Sequence, residues 1–182
     1  MTTTNKPWTP LFIPPELSGA MLDCLLPALV CVNKNWLSKF PDTPALYDSG
    51  VRYLAEPEGE EKWLSIPFNL LAMAGDCEDL ACWRAAELQM LGENANPIWS
   101  AHKTPGDGML YHIQVRRADG RVEDPSYILG MGWEDRYTRI YGRLENMVSP
   151  LSNTAPTDMN QPWSDLPGSK LRQLLTHLRR VA

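Results

Sequence analysis

The sequence predicts an α+β domain in which a central helix bearing Cys77 packs on a small antiparallel sheet, with further helices N-terminal to it. Three observations carry this expectation. Apolar residues recur at three- and four-residue spacing over residues 16–39. Residues 77–91 are apolar around most of a helical circumference, the signature of a buried helix. Residues 109–124 alternate and then turn at Ala118-Asp119-Gly120, which reads as a hairpin.

In chain order, residues 1–15 form a proline-punctuated arm carrying Trp8, Leu11, Phe12 and Ile13, which favours extended geometry over a helix. The first helix, 16–39, is expected to turn Met21, Leu25, Ala28, Leu29, Val32 and Trp36 inward and to kink near Pro27. Cys24 and Cys31 share one of its faces and read as small buried apolar residues. A second short helix is expected from Thr43-Pro44, with Leu46, Tyr47, Val51 and Leu54 toward the core. Residues 68–75 read as an approach loop closing in a tight glycine turn at Gly75, after which the central helix begins.

Strands are expected at 98–102, 109–117 and 121–124, and a helix over 133–148 with Tyr137, Ile140, Tyr141, Leu144 and Val148 on one stripe. Residues 149–168 are rich in Pro, Ser, Asn and Thr and read as a linker. Residues 169–182 form a basic amphipathic helix with Leu171, Leu174, Leu175 and Leu178 on one side. The folded domain is therefore expected over 16–148. The two ends are candidates for gripping partners, or for closing over the domain's own core.

Composition narrows the function. The 182 residues include 43% hydrophobic and 21% charged, values of a folded globular chain. Seventeen Lys and Arg against 22 Asp and Glu leave a net charge of -5, which argues against nucleic acid as the main partner. The longest apolar run, 24–32, contains Pro27 and is far short of the roughly 20 residues a membrane span needs. The first 15 residues lack the charged start and apolar stretch of a secretory signal, so a cytoplasmic protein is expected. Four cysteines without a Cys-x-x-Cys pair supply neither a disulfide framework nor a zinc site.

The chemistry centres on Cys77. A helix N-terminus favours negative charge and so suits a nucleophilic thiolate. Gly75 permits a sharp entry, Asp76 can cap the helix, and the Cys77 N–H is left to hold an oxyanion. The base must be His102, His112 or His177. His102 precedes a turn and His177 lies in the terminal basic segment, whereas His112 sits within a strand, a rigid support. Its orienting acid depends on hairpin register. A two-residue loop would put Asp124 on the wrong face. A three-residue loop pairs Arg117 with Arg121 and Gln114 with Asp124, making His112 and Asp124 diagonal neighbours roughly 7–8 Å apart in the backbone. That loop class wants glycine at its third, left-handed position, where Gly120 stands.

The segments AGDCEDLACWRAAEL and YHIQVRRADGRVEDPS resemble the transglutaminase-like superfamily of papain-fold cysteine enzymes, in the order Cys at a helix start, then His and Asp on successive strands. Gly-Asp-Cys-Glu-Asp is similar to bacterial transglutaminase-like cysteine proteinases. The whole set, with Leu129-Gly130-Met131, also resembles small proteins encoded in bacteriophages and prophages. The resemblance spans residues 63–131 and implies a papain-like fold and a Cys77–His112–Asp124 triad.

No upstream Gln stands out as a second oxyanion donor, and Asn69 or the Trp63 indole is the substitute. Asp76, Glu78 and Asp79 crowd the thiol with negative charge. Helix capping accounts for such acids; the alternative, which the resemblance implies, is a calcium site. The expected activity is hydrolysis or acyl transfer on an amide or ester, such as a protein or peptide, through a thioester. The alternative is a structural component of a phage virion that keeps the fold for assembly.

Overall fold

The computed structural model describes residues 18–56, 61–103 and 108–132. The expected arm at 1–15, helix at 133–148, linker at 149–168 and basic helix at 169–182 lie outside them. Among the described residues the order is α1 (Ser18–Lys39), a 3-10 turn (Leu46–Asp48), β1 (Arg52–Tyr53), α2 (Ile66–Ala72), β2 (Ala74–Gly75), α3 (Cys77–Met90), β3 (Asn96–Lys103), β4 (Met109–Arg116), β5 (Val122–Glu123) and α4 (Pro125–Ile128). β1 and β2 pair in parallel, and β3-β4-β5 form an antiparallel sheet in that order. The class is α+β. No helix among the described residues is long and apolar enough to cross a membrane.

The central helix lies where its composition puts it. On one side Ala81, Cys82, Ala85, Ala86 and Leu88 pack with Leu26, Leu29 and Val30 of α1 and with Ile113 and Val115 of β4. On the other, Leu80 and Trp83 join Leu46, Val51, Ile66, Leu70 and Leu129. Each fully buried large aliphatic side chain here contributes about 1.5–3 kcal/mol before the entropy of ordering is counted. Contributing to both clusters fixes α3, and with it the Cys77 backbone.

Helix α1 runs through Pro27, which is exposed; the carbonyl that loses its helical donor belongs to Asp23, also exposed, on the side where water can serve it. The buried face differs from the expected one. Leu26, Leu29, Val30 and Asn33 are buried, whereas Val32, Cys24 and Cys31 are exposed, so the two cysteines are not core residues. The reason is Asn33: its Oδ1 accepts the Ile66 N–H at 3.0 Å, and burying that polar side chain rotates the helix away from the face that hydrophobicity alone selects.

The expected helix at Thr43-Pro44 is only a 3-10 turn. The Thr43 hydroxyl is already engaged, donating to Phe40 O at 2.7 Å and accepting the Trp36 indole at 3.0 Å, so it closes α1 and caps nothing new. The chain then extends, and burial alternates: Val51 and Tyr53 face inward while Leu54 is 56% exposed. Residues 68–72, expected as part of the loop at 68–75, instead belong to α2, started by a proline in its first turn after Ser65. The left-handed residue that ends it is Met73, with φ 55°, and not Gly75. Gly75 is needed for space: a Cβ there would lie 2.6 Å from Asn69 Oδ1.

Candidate active site

Helix α3 begins at Cys77 through a capping box: the Asp76 side chain accepts the Asp79 N–H, and Asp79 reaches back to the Asp76 N–H. The second Asp79 oxygen accepts the Leu64 N–H at 2.6 Å and so ties the chain before α2 to the helix start. As the first helical residue, Cys77 has an N–H with no acceptor inside the helix. Its half-buried thiol lies 3.4 Å from Glu78 Oε2.

The hairpin takes the three-residue loop. Val115 pairs with Glu123 and Arg116 with Val122, the Arg117 N–H bonds Arg121 O at 2.8 Å, and Gly120 is left-handed with φ 85°. In that register Asp124 Oδ2 lies 2.8 Å from His112 Nε2. Gln114 Nε2 donates to the same oxygen at 3.1 Å, and the Tyr127 N–H donates to Asp124 Oδ1 at 3.1 Å as the carboxylate caps α4. The acid is held by three donors. Gln114 was not among the expected site residues, although its pairing with Asp124 placed it there.

Hydrogen bonds to Asp124 first, and then to the Cys77 thiol, raise His112 to about 9 despite its partial burial. With Nε2 committed to Asp124, Nδ1 is the ring nitrogen left for the thiol. Burial alone would raise Asp124, but the bonds from His112, Tyr127 and Gln114 outweigh it and leave the carboxyl below its ordinary range. The carboxylate therefore favours the protonated form of the ring, and the ring's own pull in turn favours the ionised acid. His102 is exposed on β3, paired with Leu110 across the sheet.

These shifts define a stability window. His112 binds its proton more tightly folded than unfolded, so its contribution is complete below about 6.5 and is lost as pH rises through about 9. Asp124, held below its ordinary value, contributes above that value and loses its contribution as pH falls. Urea denaturation of His112→Ala should therefore show a deficit on the order of 1–2 kcal/mol near pH 6, allowing for solvent screening, that shrinks toward zero at pH 10. A deficit that does not change with pH would show that the pair carries no charge.

The acids around Cys77 divide into two groups. Asp79 is engaged in the capping box and the Leu64 bond, and is not part of the carboxylate cluster; burial and the neighbouring Asp76 push it up to about 9. The cluster is Glu61, Asp76 and Glu78, whose oxygens lie within 4.8 Å of one another. Glu61 comes from an acidic run with no periodicity to single it out, and sequence reasoning missed it. Asp76 and Glu78 are 9% and 3% exposed, and Asp76 Oδ1 and Glu78 Oε1 are buried with no hydrogen-bond partner. Burial raises both, Asp76 to about 6 and Glu78 well above its ordinary value, with Asp76 adding to the rise at Glu78. Two buried acids with unpartnered oxygens, beside a third whose oxygen lies within 4.8 Å of theirs, have the donor chemistry of a hard-cation site such as calcium's.

The two expected oxyanion donors separate. Asn69 is fully buried, and its amide donates to Leu64 O at 3.3 Å, so it braces the chain against Gly75. Trp63 is half-buried and packs on the same core cluster as Cys77. No known family model, curated protein or solved structure matches the chain.

Proposed function

We propose that the protein is a cysteine hydrolase or acyltransferase of the transglutaminase-like, papain-fold type, acting on an amide or ester of a protein or peptide. The observation that supports this most is the His112 ring held 2.8 Å from the Asp124 carboxylate, with the Cys77 thiol at a helix start close enough to raise the ring's proton affinity. Cys77 is the nucleophile, His112 the base and then the acid, and Asp124 the group that holds the ring.

The Cys77 proton passes to the neutral His112 ring, which Asp124 then steadies as imidazolium, and the thiolate sulfur bonds the substrate carbonyl carbon. The resulting oxyanion faces the free Cys77 N–H, with the Trp63 indole as the candidate second donor. The carbon–nitrogen or carbon–oxygen bond breaks as His112 returns its proton to the leaving group, leaving a thioester. In the second half, His112 removes a proton from water or from an amine, which attacks the thioester and restores the thiol. Glu61, Asp76 and Glu78 would hold calcium, whose charge would neutralise the acids beside the thiol.

A small activated ester tests the reading. Incubation with p-nitrophenyl acetate should release one equivalent of nitrophenolate in a burst and leave acetyl on the Cys77 peptide, with no burst from Cys77→Ala. Acetyl spread equally over the exposed Cys24 and Cys31 would show an ordinary thiol and end the proposal.

A further inference from the structure

Residue Glu123 precedes the orienting acid in a strand only two residues long, so β5 has little sheet of its own to hold it in place. Alternation along the strand sends Glu123 and Asp124 to opposite sides. Where Asp124 meets His112 and Gln114, Glu123 receives three donors from three parts of the chain: Tyr47 Oη at 2.5 Å, Arg84 Nε at 2.7 Å and Arg117 Nη1 at 2.6 Å. Its side chain is 15% exposed. The two arginines are each held a second time, Arg84 by Glu87 at 3.0 Å and Arg117 by a two-pronged bond to Glu93.

We infer that Glu123 is the positioning residue of the site: by fastening β5 to α3, to Arg117 beside the hairpin loop and to Tyr47, it sets Asp124 at hydrogen-bond distance from His112. The inference rests on reading Cys77, His112 and Asp124 as a triad. Physical reasons make the fastening effective. The pairs are largely removed from solvent and geometrically constrained, unlike surface ion pairs that contribute little. Arg84 stands on α3, the helix that begins at Cys77. Glu123 therefore couples the acid's strand to the nucleophile's helix directly, and although burial pulls the other way, its bonds from Tyr47, Arg84 and Arg117 leave its carboxyl below its ordinary range. A displacement of about 1 Å in a reacting constellation is enough to cost 10²-fold in rate, so a fastening with no contact to substrate still governs chemistry.

The test follows the His112 ring by NMR titration in the full chain, with His102 and His177 as internal references. In the native protein His112 should titrate near 9, and Asp124→Asn should return it toward 6.5. Glu123→Ala should move it at least about one pH unit in the same direction while the protein stays folded. A merely structural role would lower the melting temperature and leave the His112 midpoint where it was, which overturns the inference. If Glu123→Ala does not fold, Tyr47→Phe and Arg117→Ala each remove one donor from the same carboxylate. A downward shift of His112 in either variant supports the inference, and its absence in both overturns it. Cys77 acetylation is read separately. A protein whose His112 responds to Glu123 but whose Cys77 takes no acyl group keeps the positioning role and loses the triad reading.

Discussion

Asp124→Asn should lower kcat/KM toward an activated ester or peptide amide by about 10²–10⁴, and His112→Ala by at least as much. The carboxylate accepts from three donors at once, and an amide in its place must turn an NH2 toward at least one of them. If that NH2 meets Nε2, the ring is forced into the tautomer with its proton on Nδ1, the nitrogen needed to accept the thiol proton. The acid–base link is then broken without removing any bulk. The predicted pattern is a loss mainly in kcat, with substrate binding little changed. Stopped-flow measurement of the acylation burst against steady-state turnover separates the two. Equal activity of native and Asp124→Asn protein would mean that His112 works without an orienting acid.

Calcium should raise the melting temperature of the native protein by about 5–10 °C at a concentration a hundredfold above its dissociation constant, the shift expected when about 2.7 kcal/mol of binding free energy is linked to folding. Glu78→Gln should abolish that response. At a pH high enough to ionise Glu78, the same substitution should stabilise the calcium-free protein by a few degrees, because it removes one charge from a buried cluster whose members repel each other. The opposite signs matter. A carboxylate kept only as a helix cap would lose stability on neutralisation and show no calcium response. Scanning calorimetry with chelator and with calcium distinguishes the outcomes, and coincident traces in the native protein would dispose of the metal site.

Much of the site was legible because its geometry is local. Gly120 at the third loop position selected the register, and the register put Asp124 on the face of His112 and Gln114 opposite Asp124. Cys77 was recognisable because glycine, a capping acid and an apolar helix follow in sequence. What could not be read depends on contacts between distant segments. Asn33 is buried because Ile66 needs an acceptor, and this turned α1 so that Cys24 and Cys31 face outward. Thr43 closes α1 because Trp36 lies above it. Glu61 replaces Asp79 in the acidic cluster because the Leu64 N–H has claimed Asp79. In each case one hydrogen bond across sequence decided a role that hydrophobic patterning cannot encode.

The hairpin also separates the site in time. His112 and Asp124 are 12 residues apart, and a hairpin of this kind closes in about 1–10 μs, whereas the Cys77 thiol reaches the ring only when α3 docks against β4. Closing the longer interval costs only about 1 kcal/mol more in chain entropy, but it also requires the apolar face of α3 to find α1. Local chain closure can thus bring His112 and Asp124 onto one face, while the Cys77 thiol and Arg84, which holds Glu123 beside the acid, join them only with the core. A loosened core would release the thiol and the Arg84 bond to Glu123 together, so reactivity at Cys77 and the titration of His112 both report on the docking of α3.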